Sequence, residues 1–300
     1  MFFLNKIIII IIPFLPKFVA RFFSKKYVAG TTIDQALGKI QKLNLNNESA
    51  TIDILGEHTK ETKESNEITS NYIKIIEKIH SNNLDCNLSI KPSHIGLDIS
   101  YELALNNFKQ ILESAKKYGN FIRIDMESSK NTDISIKLYN ELKKTSSNIG
   151  IVFQAYLHRT ENDINNIDPK SNIRLCKGIY KESSEISFQN YDEINNNYLH
   201  LLELAFKKNI YVGIATHDER LICKSKEIIK RMKVDNSLFE FQYLYGVPMK
   251  KINKKLKNEH FKIRSYVPFG KDWYDYSIRR IKENPQIASY VIKNIFSKRI

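Results

Sequence analysis

Glycine is scarce in this sequence and widely spaced. The ten glycines fall at 30, 38, 56, 96, 119, 150, 178, 213, 246 and 270, and no two lie closer than eight residues. A G-x-G-x-x-G turn or a Walker-type loop needs glycines a few residues apart, so neither cradle for phosphates exists here. Any nucleotide is held by other means. Ten glycines and seven prolines also exclude long Gly- or Pro-rich linkers. Cysteine is limited to Cys86, Cys176 and Cys223, with no C-x-x-C. That excludes a disulfide framework, leaves no Cys/His zinc spacing, and fits a reducing compartment. Cys86 and Cys176 fall in apolar runs and are expected in the core. Long hydrophobic runs are missing too: the uncharged stretch 7–16 has ten residues, two of them proline, whereas a spanning helix needs roughly 18 or more apolar residues.

What is present is a chain of 300 residues, 42% hydrophobic, 27% charged and 11% aromatic. That is enough for a sizeable core and matches one large α/β barrel or two ordinary domains. The net charge of +14 points toward polyanions or a membrane surface, but the lysines are dispersed along the chain, as compositional bias would leave them. Lys6 and the following apolar run imitate a signal peptide, yet no small-x-small cleavage site follows. Lys17, Arg21, Lys25 and Lys26 come next. Two readings fit residues 1–23: a segment lying on an anionic membrane surface, or a helical arm packed on the main domain. The expected location is cytoplasmic, peripheral at the inner face of the membrane under the first reading.

From residue 50 onward one pattern repeats: a short apolar run ending in polar residues, then a longer amphipathic segment. The expected strands are 50–57, 86–93, 121–127, 149–156, 172–178, 211–218, 238–246 and 261–270, each rich in Ile, Val, Phe or Tyr. Segments 64–82, 101–118 and 192–208 carry apolar stripes at i, i+3, i+4 and i+7, such as Ile68, Tyr72, Ile75, Ile76 and Ile79. The connectors 161–167 and 250–259 are short and polar, with weaker helical signals. Residues 32–45 read as a further helix, with Thr31 or Thr32 as N-cap. Eight strand–helix units in about 230 residues predict an α/β fold, a closed (β/α)8 TIM-type barrel. The expected organisation is an N-terminal helical arm over 1–49 and the barrel over 50–300. A doubly wound sheet is the alternative, without its glycine-rich turn.

In such barrels the site forms at the C-terminal strand ends. Those ends carry Glu57, Lys91, Asp125 with Glu127, Gln154, Lys177, Thr216 with His217 and Asp218, Gln242, and Tyr266. Each alone is unremarkable at a strand end. A polar group at every end points to an enzyme with an anionic substrate or cofactor. Arg279 and Arg280 present planar bidentate donors suited to a carboxylate or phosphate, or form a surface pair on an amphipathic helix. Two further readings follow from the residues: a lyase using Lys91 or Lys177 as a Schiff-base nucleophile, and a basic nucleic-acid-binding protein, for which no motif is present.

From Tyr27 to about Asn284 the chain resembles the FAD-dependent proline dehydrogenases. The resemblance rests on SIKPSHIGLDI (89–99), RIDME (123–127), VFQAYLHRT (152–160), RLCKGIYKE (174–182), IATHDERLI (214–222), FEFQYLYG (239–246) and YVPFG-x-x-W-x-x-Y…RR (266–280), in order, one per barrel segment. It implies a (β/α)8 barrel with helix 8 over the mouth, and oxidation of L-proline to Δ1-pyrroline-5-carboxylate by hydride transfer to FAD. It further implies that a membrane quinone takes the electrons, with no nucleic acid or metal expected. By motif, Lys91, Asp125, Leu244 and Tyr266 line the proline site. Arg279 and Arg280 grip the carboxylate, and Glu57 pairs with Arg279. Met126, Gln154, Arg174, Lys177, Gly178, Ile179, Thr216 and His217 meet the flavin, with Asp125 and Arg174 nearest the chemistry. Glu283 matches a further polar residue of the last motif. Two departures stand out: Ile179 where the family usually has Ala, and Cys176 where it usually has Val. No aldehyde-dehydrogenase segment follows, which implies the monofunctional form.

Overall fold

Eight parallel strands close into a barrel in sequence order in the computed structural model, which describes residues 26–274 and 276–278. They are β1 (Ser49–Ile54), β2 (Cys86–Ile90), β3 (Ile122–Ile124), β4 (Ile149–Gln154), β5 (Asn172–Cys176), β6 (Tyr211–Ala215), β7 (Phe239–Leu244) and β8 (Ile263–Phe269). The ring closes where β1 pairs with β8, Thr51 opposite Tyr266. The expected barrel is therefore observed, with strands shorter than the sequence suggested. Residues such as Glu57, Asp125 and Glu127 lie just past the ladders, on the loops that build a barrel's active face.

Helix α1 (Ile33–Asn44) precedes the barrel, and its N-cap is Thr32, whose hydroxyl accepts from Gln35 N. Its apolar face, Ala36, Leu37 and Ile40, is buried. Helices α2 (Thr62–Ser81), α3 (Tyr101–Lys117), α4 (Thr132–Lys143), α5 (Thr160–Asn166), α6 (Tyr191–Lys207), α7 (Glu219–Met232) and α8 (Lys250–Asn258) follow β1 to β7 in turn. The weakly signalled connectors after β4 and β7 are thus helices, of seven and nine residues. The α2 stripe is buried as its period requires, each large apolar side chain contributing about 1.5–3 kcal/mol. Among the described residues no helix is long and apolar enough to cross a membrane. Residues 1–25, and with them the basic apolar segment, lie outside the described residues.

Residues 27–30, expected outside the barrel, are pinned to it. Ala29 N donates to Pro268 O at 2.9 Å and Gly270 N to Gly30 O at 3.0 Å. Tyr27, Val28, Leu55 and Tyr276 form a small apolar cluster of their own. Tyr276 lies on the helical segment that follows β8 and starts at Trp273.

The strands alternate. Ile52, Leu88, Ile122, Ile151, Leu175, Ile214, Phe241 and Val267 are buried in the main hydrophobic core. The intervening positions carry polar groups that meet one another inside the barrel: Asp53, Ser89, Arg123, Arg174, Glu240, Gln242, Arg264 and Tyr266. Barrel interiors are usually filled by branched apolar side chains. Charges there must be paired or hydrogen-bonded, and these are. Arg264 Nε donates to Glu240 Oε1 at 2.7 Å, and Arg264 Nη1 to Ala50 O at 2.6 Å. Burial works against the Glu240 charge, but Arg264 prevails and holds its pKa down to about 2. Arg123 is 1% exposed and donates only to neutral oxygens: Ile151 O, Asn172 O and Asn172 Oδ1. Burial, with Arg174 adding repulsion, pulls its pKa down to about 9.

Candidate active site

The C-terminal ends of the strands surround a cavity of about 880 Å3, within the range of about 300–1,000 Å3 typical of ligand pockets. Every described residue singled out from the sequence lines it: Glu57, Lys91, Asp125, Met126, Gln154, Arg174, Lys177, Gly178, Ile179, Thr216, His217, Leu244 and Tyr266. Arg279, Arg280 and Glu283 lie outside the described residues.

Asp125 is the hub of one wall. Its Oδ1 accepts from Ser89 Oγ at 2.5 Å and from Arg174 Nη1 at 2.9 Å, and its Oδ2 accepts from Tyr266 OH at 2.9 Å. Burial, together with the neighbouring Asp125 and Asp53 charges, drives the Tyr266 phenol well above its usual range, so it stays a donor. Arg174 spends Nε on Gln242 Oε1 at 2.7 Å, and its guanidinium lies 5.1 Å from the Tyr266 ring centroid. Its Nη2 is buried and has no acceptor among the described residues. Lys91 Nζ sits between both carboxylate oxygens of Asp53, at 3.0 and 2.9 Å. Burial opposes the Lys91 charge, but Asp53, Asp125 and Glu57 together raise its pKa.

Next to Asp125 on the rim, Gln154 Nε2 donates to Met126 O at 3.4 Å and Glu127 O at 3.2 Å, while its Oε1 is buried without a partner among the described residues. His217 Nε2 accepts from Leu244 N at 2.9 Å, which leaves the ring proton to Nδ1. Thr216 Oγ1 accepts from Asp218 N at 3.1 Å. Asp218 caps α7 by accepting from Arg220 N and also takes Lys177 Nζ at 3.1 Å and the Tyr191 hydroxyl. Lys177 Nζ lies 4.1 Å from the Tyr191 ring centroid. Gly178 has φ +108°, and a Cβ there would meet the Tyr156 ring at 2.0 Å. The lysine is thus followed by a backbone turn that only glycine can make.

Two expectations need correction. Cys176 is not a core residue: it is half-buried and lines the cavity, whereas Cys86 is buried as expected. A Schiff-base lysine needs a lowered pKa. Lys91 is instead raised by its carboxylates, and Lys177 is paired to Asp218. Sequence reasoning missed Asp53, Tyr180, Tyr191 and Tyr276, all of which line the cavity. Asp53 carried a signal, a charge between Ile52 and Ile54 in a strand. Tyr180 and Tyr276 fall inside motifs quoted above, 174–182 and 266–280, with no role assigned to them, and Tyr191, at the start of α6, carried no signal. Ile179 is 48% exposed at the cavity wall. Among the described residues no cluster of His, Cys, Asp and Glu suits a metal ion.

Comparison with known proteins places the chain in a family. The family model for proline dehydrogenase matches residues 36–293. Proline dehydrogenase 1 of Bacillus subtilis (strain 168) is 38% identical over 276 residues, covering 92% of this chain and 91% of that protein. The proline dehydrogenase of Deinococcus radiodurans is 32% identical over 278 residues, covering 91% and 89%. Among solved structures, proline utilization A (PutA) from Bdellovibrio bacteriovorus inactivated by N-propargylglycine aligns with a TM-score of 0.81 at 21% identity. That alignment covers 87% of this chain and 32% of the other, so the likeness is one of fold, over about a third of that protein's length. By family match and by identity along nearly its whole length, this chain belongs to the proline dehydrogenase family.

Proposed function

We propose that this chain oxidises L-proline to Δ1-pyrroline-5-carboxylate with FAD as its resident cofactor, and that a membrane quinone receives the electrons. The observation that carries the reading is the pair of unsatisfied buried groups on one cavity, Arg174 Nη2 and Gln154 Oε1. A donor and an acceptor of this kind fit the polar edge of a flavin ring, and an unmet buried polar group is costly enough to need a partner. Lys177 and the Gly178 turn offer a cation and backbone for phosphates in place of a glycine-rich loop. FAD, when bound, supplies the acceptor for the hydride that leaves proline C5.

The chain's own groups would divide the remaining work. Arg279 and Arg280 grip the carboxylate, Glu57 pairs with Arg279, and Leu244 packs on the substrate. Tyr266 and Lys91, held by Asp125 and Asp53, line the ring side. Arg174 keeps positive charge where the accepted electrons raise negative charge. Met126, Thr216, His217 and Ile179 complete the cofactor wall.

Purified protein is expected to take up FAD noncovalently and to release it on denaturation. A chain that binds no FAD on titration contradicts the reading. Residues 1–23, whose apolar stretch 7–16 is followed by Lys17, Arg21, Lys25 and Lys26, would hold the enzyme peripherally at the cytoplasmic face of the membrane, near its quinone. Deleting them should reduce co-sedimentation with anionic vesicles, and salt should weaken attachment of the full chain. Equal sedimentation of both forms leaves the segment as a packed arm.

A further inference from the structure

Beneath Arg174 the barrel holds a chain of alternating charges. Arg264 donates to Glu240 Oε1 at 2.7 Å, Gln242 Nε2 donates to the same oxygen at 2.8 Å, and Gln242 Oε1 accepts from Arg174 Nε at 2.7 Å. Arg174 in turn reaches Asp125 at 2.9 Å. Gln242 is 4% exposed. Its amide faces an anion on one side and a cation on the other, so its orientation is fixed: the NH2 toward Glu240, the oxygen toward Arg174. A neutral amide can bridge the two ion pairs without adding a charge; a carboxylate would repel Glu240, and an ammonium would repel Arg174. The barrel also makes room for it. A Cβ on Gly213, in the neighbouring strand, would fall 2.4 Å from Gln242 Nε2, so glycine there is the space the amide occupies.

The consequence falls on Arg174. With Nε held by Gln242 and Nη1 by Asp125 and Ser89, the guanidinium plane is fixed, and Nη2 is left without an acceptor among the described residues. We propose that Gln242 is a positioning residue of the oxidation: it fixes the Arg174 guanidinium so that Nη2 faces the bound flavin and favours its reduced form. This rests on the FAD reading above. Without the amide, Arg174 Nε is an unmet buried donor, and the side chain is free to turn toward another acceptor. The positive charge then no longer stands at a fixed point beside the developing negative charge.

The test is the two-electron reduction potential of FAD bound to the full-length protein, with FAD affinity of the oxidised form measured alongside. Gln242→Met, similar in length but unable to bridge, is expected to disfavour the reduced cofactor about tenfold. That is a fall of about 30 mV for two electrons. Oxidised FAD should bind within about threefold of wild type, and kcat should fall more than KM rises. In an Arg174→Met background the same change should move the potential little, since its effect passes through Arg174. If the methionine variant does not fold, Gln242→Asn, one methylene too short to reach both partners, should lower the potential in the same direction. An unchanged potential, or an equal shift in the Arg174→Met background, overturns the proposal while leaving FAD binding intact. Wild-type protein that takes up no FAD overturns both this proposal and the reading beneath it.

Discussion

Replacing Asp125 by alanine is expected to lower kcat/KM for proline by about a thousandfold while FAD stays bound. Three groups converge on this carboxylate: Ser89 Oγ, Arg174 Nη1 and Tyr266 OH. Two of the bonds matter most for the site, because they fix the guanidinium and the phenol that line the cavity beside Asp125. Hydrogen bonds to a charged group contribute about 1.5–3 kcal/mol each, and losing two removes both the positions and the balancing charge for Arg174. Asp125→Asn, which keeps one carbonyl acceptor, should lose less. The measurement is steady-state kinetics on variants normalised to flavin content. An alanine variant within tenfold of wild type would mean that Arg174 and Tyr266 hold their places without Asp125.

The second large effect is expected at Asp53. This carboxylate is 1% exposed and clamps Lys91 with both oxygens. Taking one partner from a buried ion pair leaves an unmatched charge and costs about 3–5 kcal/mol, so Asp53→Ala should lower the urea midpoint sharply and abolish most activity. The pair also predicts a pH dependence. Burial, reinforced by the Asp125 charge and opposed by Lys91, pushes the Asp53 pKa up to about 6. As pH falls through that value Asp53 takes up a proton, and Lys91 loses the charge that anchors it. Wild-type kcat/KM should therefore carry an acid limb near pH 6. In Asp53→Asn, which cannot titrate, that limb should be absent from a profile that is lower throughout. A limb that persists in the asparagine variant would assign it to another group.

The outer layer of this fold was legible because helices on a sheet repeat their apolar residues every 3.6 positions. The buried faces of α2 and α3, including Ile75, Phe108 and Ile111, are the stripes the sequence displays. The cavity wall was legible for a different reason: chain order around a closed barrel brings the end of every strand to one rim. The inner layer was harder. Residues such as Asp53, Glu240 and Arg264 alternate with apolar neighbours, a period-two signal. Runs of six or seven residues do not reveal which side faces the barrel axis, and charge is not the usual filling. Gln242 could be read as a polar strand end, but its bond to Arg174 joins residues 68 positions apart and follows only from closure of the ring. Tyr191 reaches the rim from the start of a helix, with no marker in its local sequence. Arg279 and Arg280 rest on motif alone, since they lie outside the described residues.

The central claim is that one cavity brings a proline and a flavin together. The most direct test is the visible absorption spectrum of the purified, FAD-loaded protein before and after anaerobic addition of L-proline. The account predicts loss of the oxidised-flavin bands on adding proline, with Δ1-pyrroline-5-carboxylate formed in proportion to the flavin reduced, and their return on adding a quinone. A bound flavin whose spectrum saturating proline leaves unchanged would contradict it.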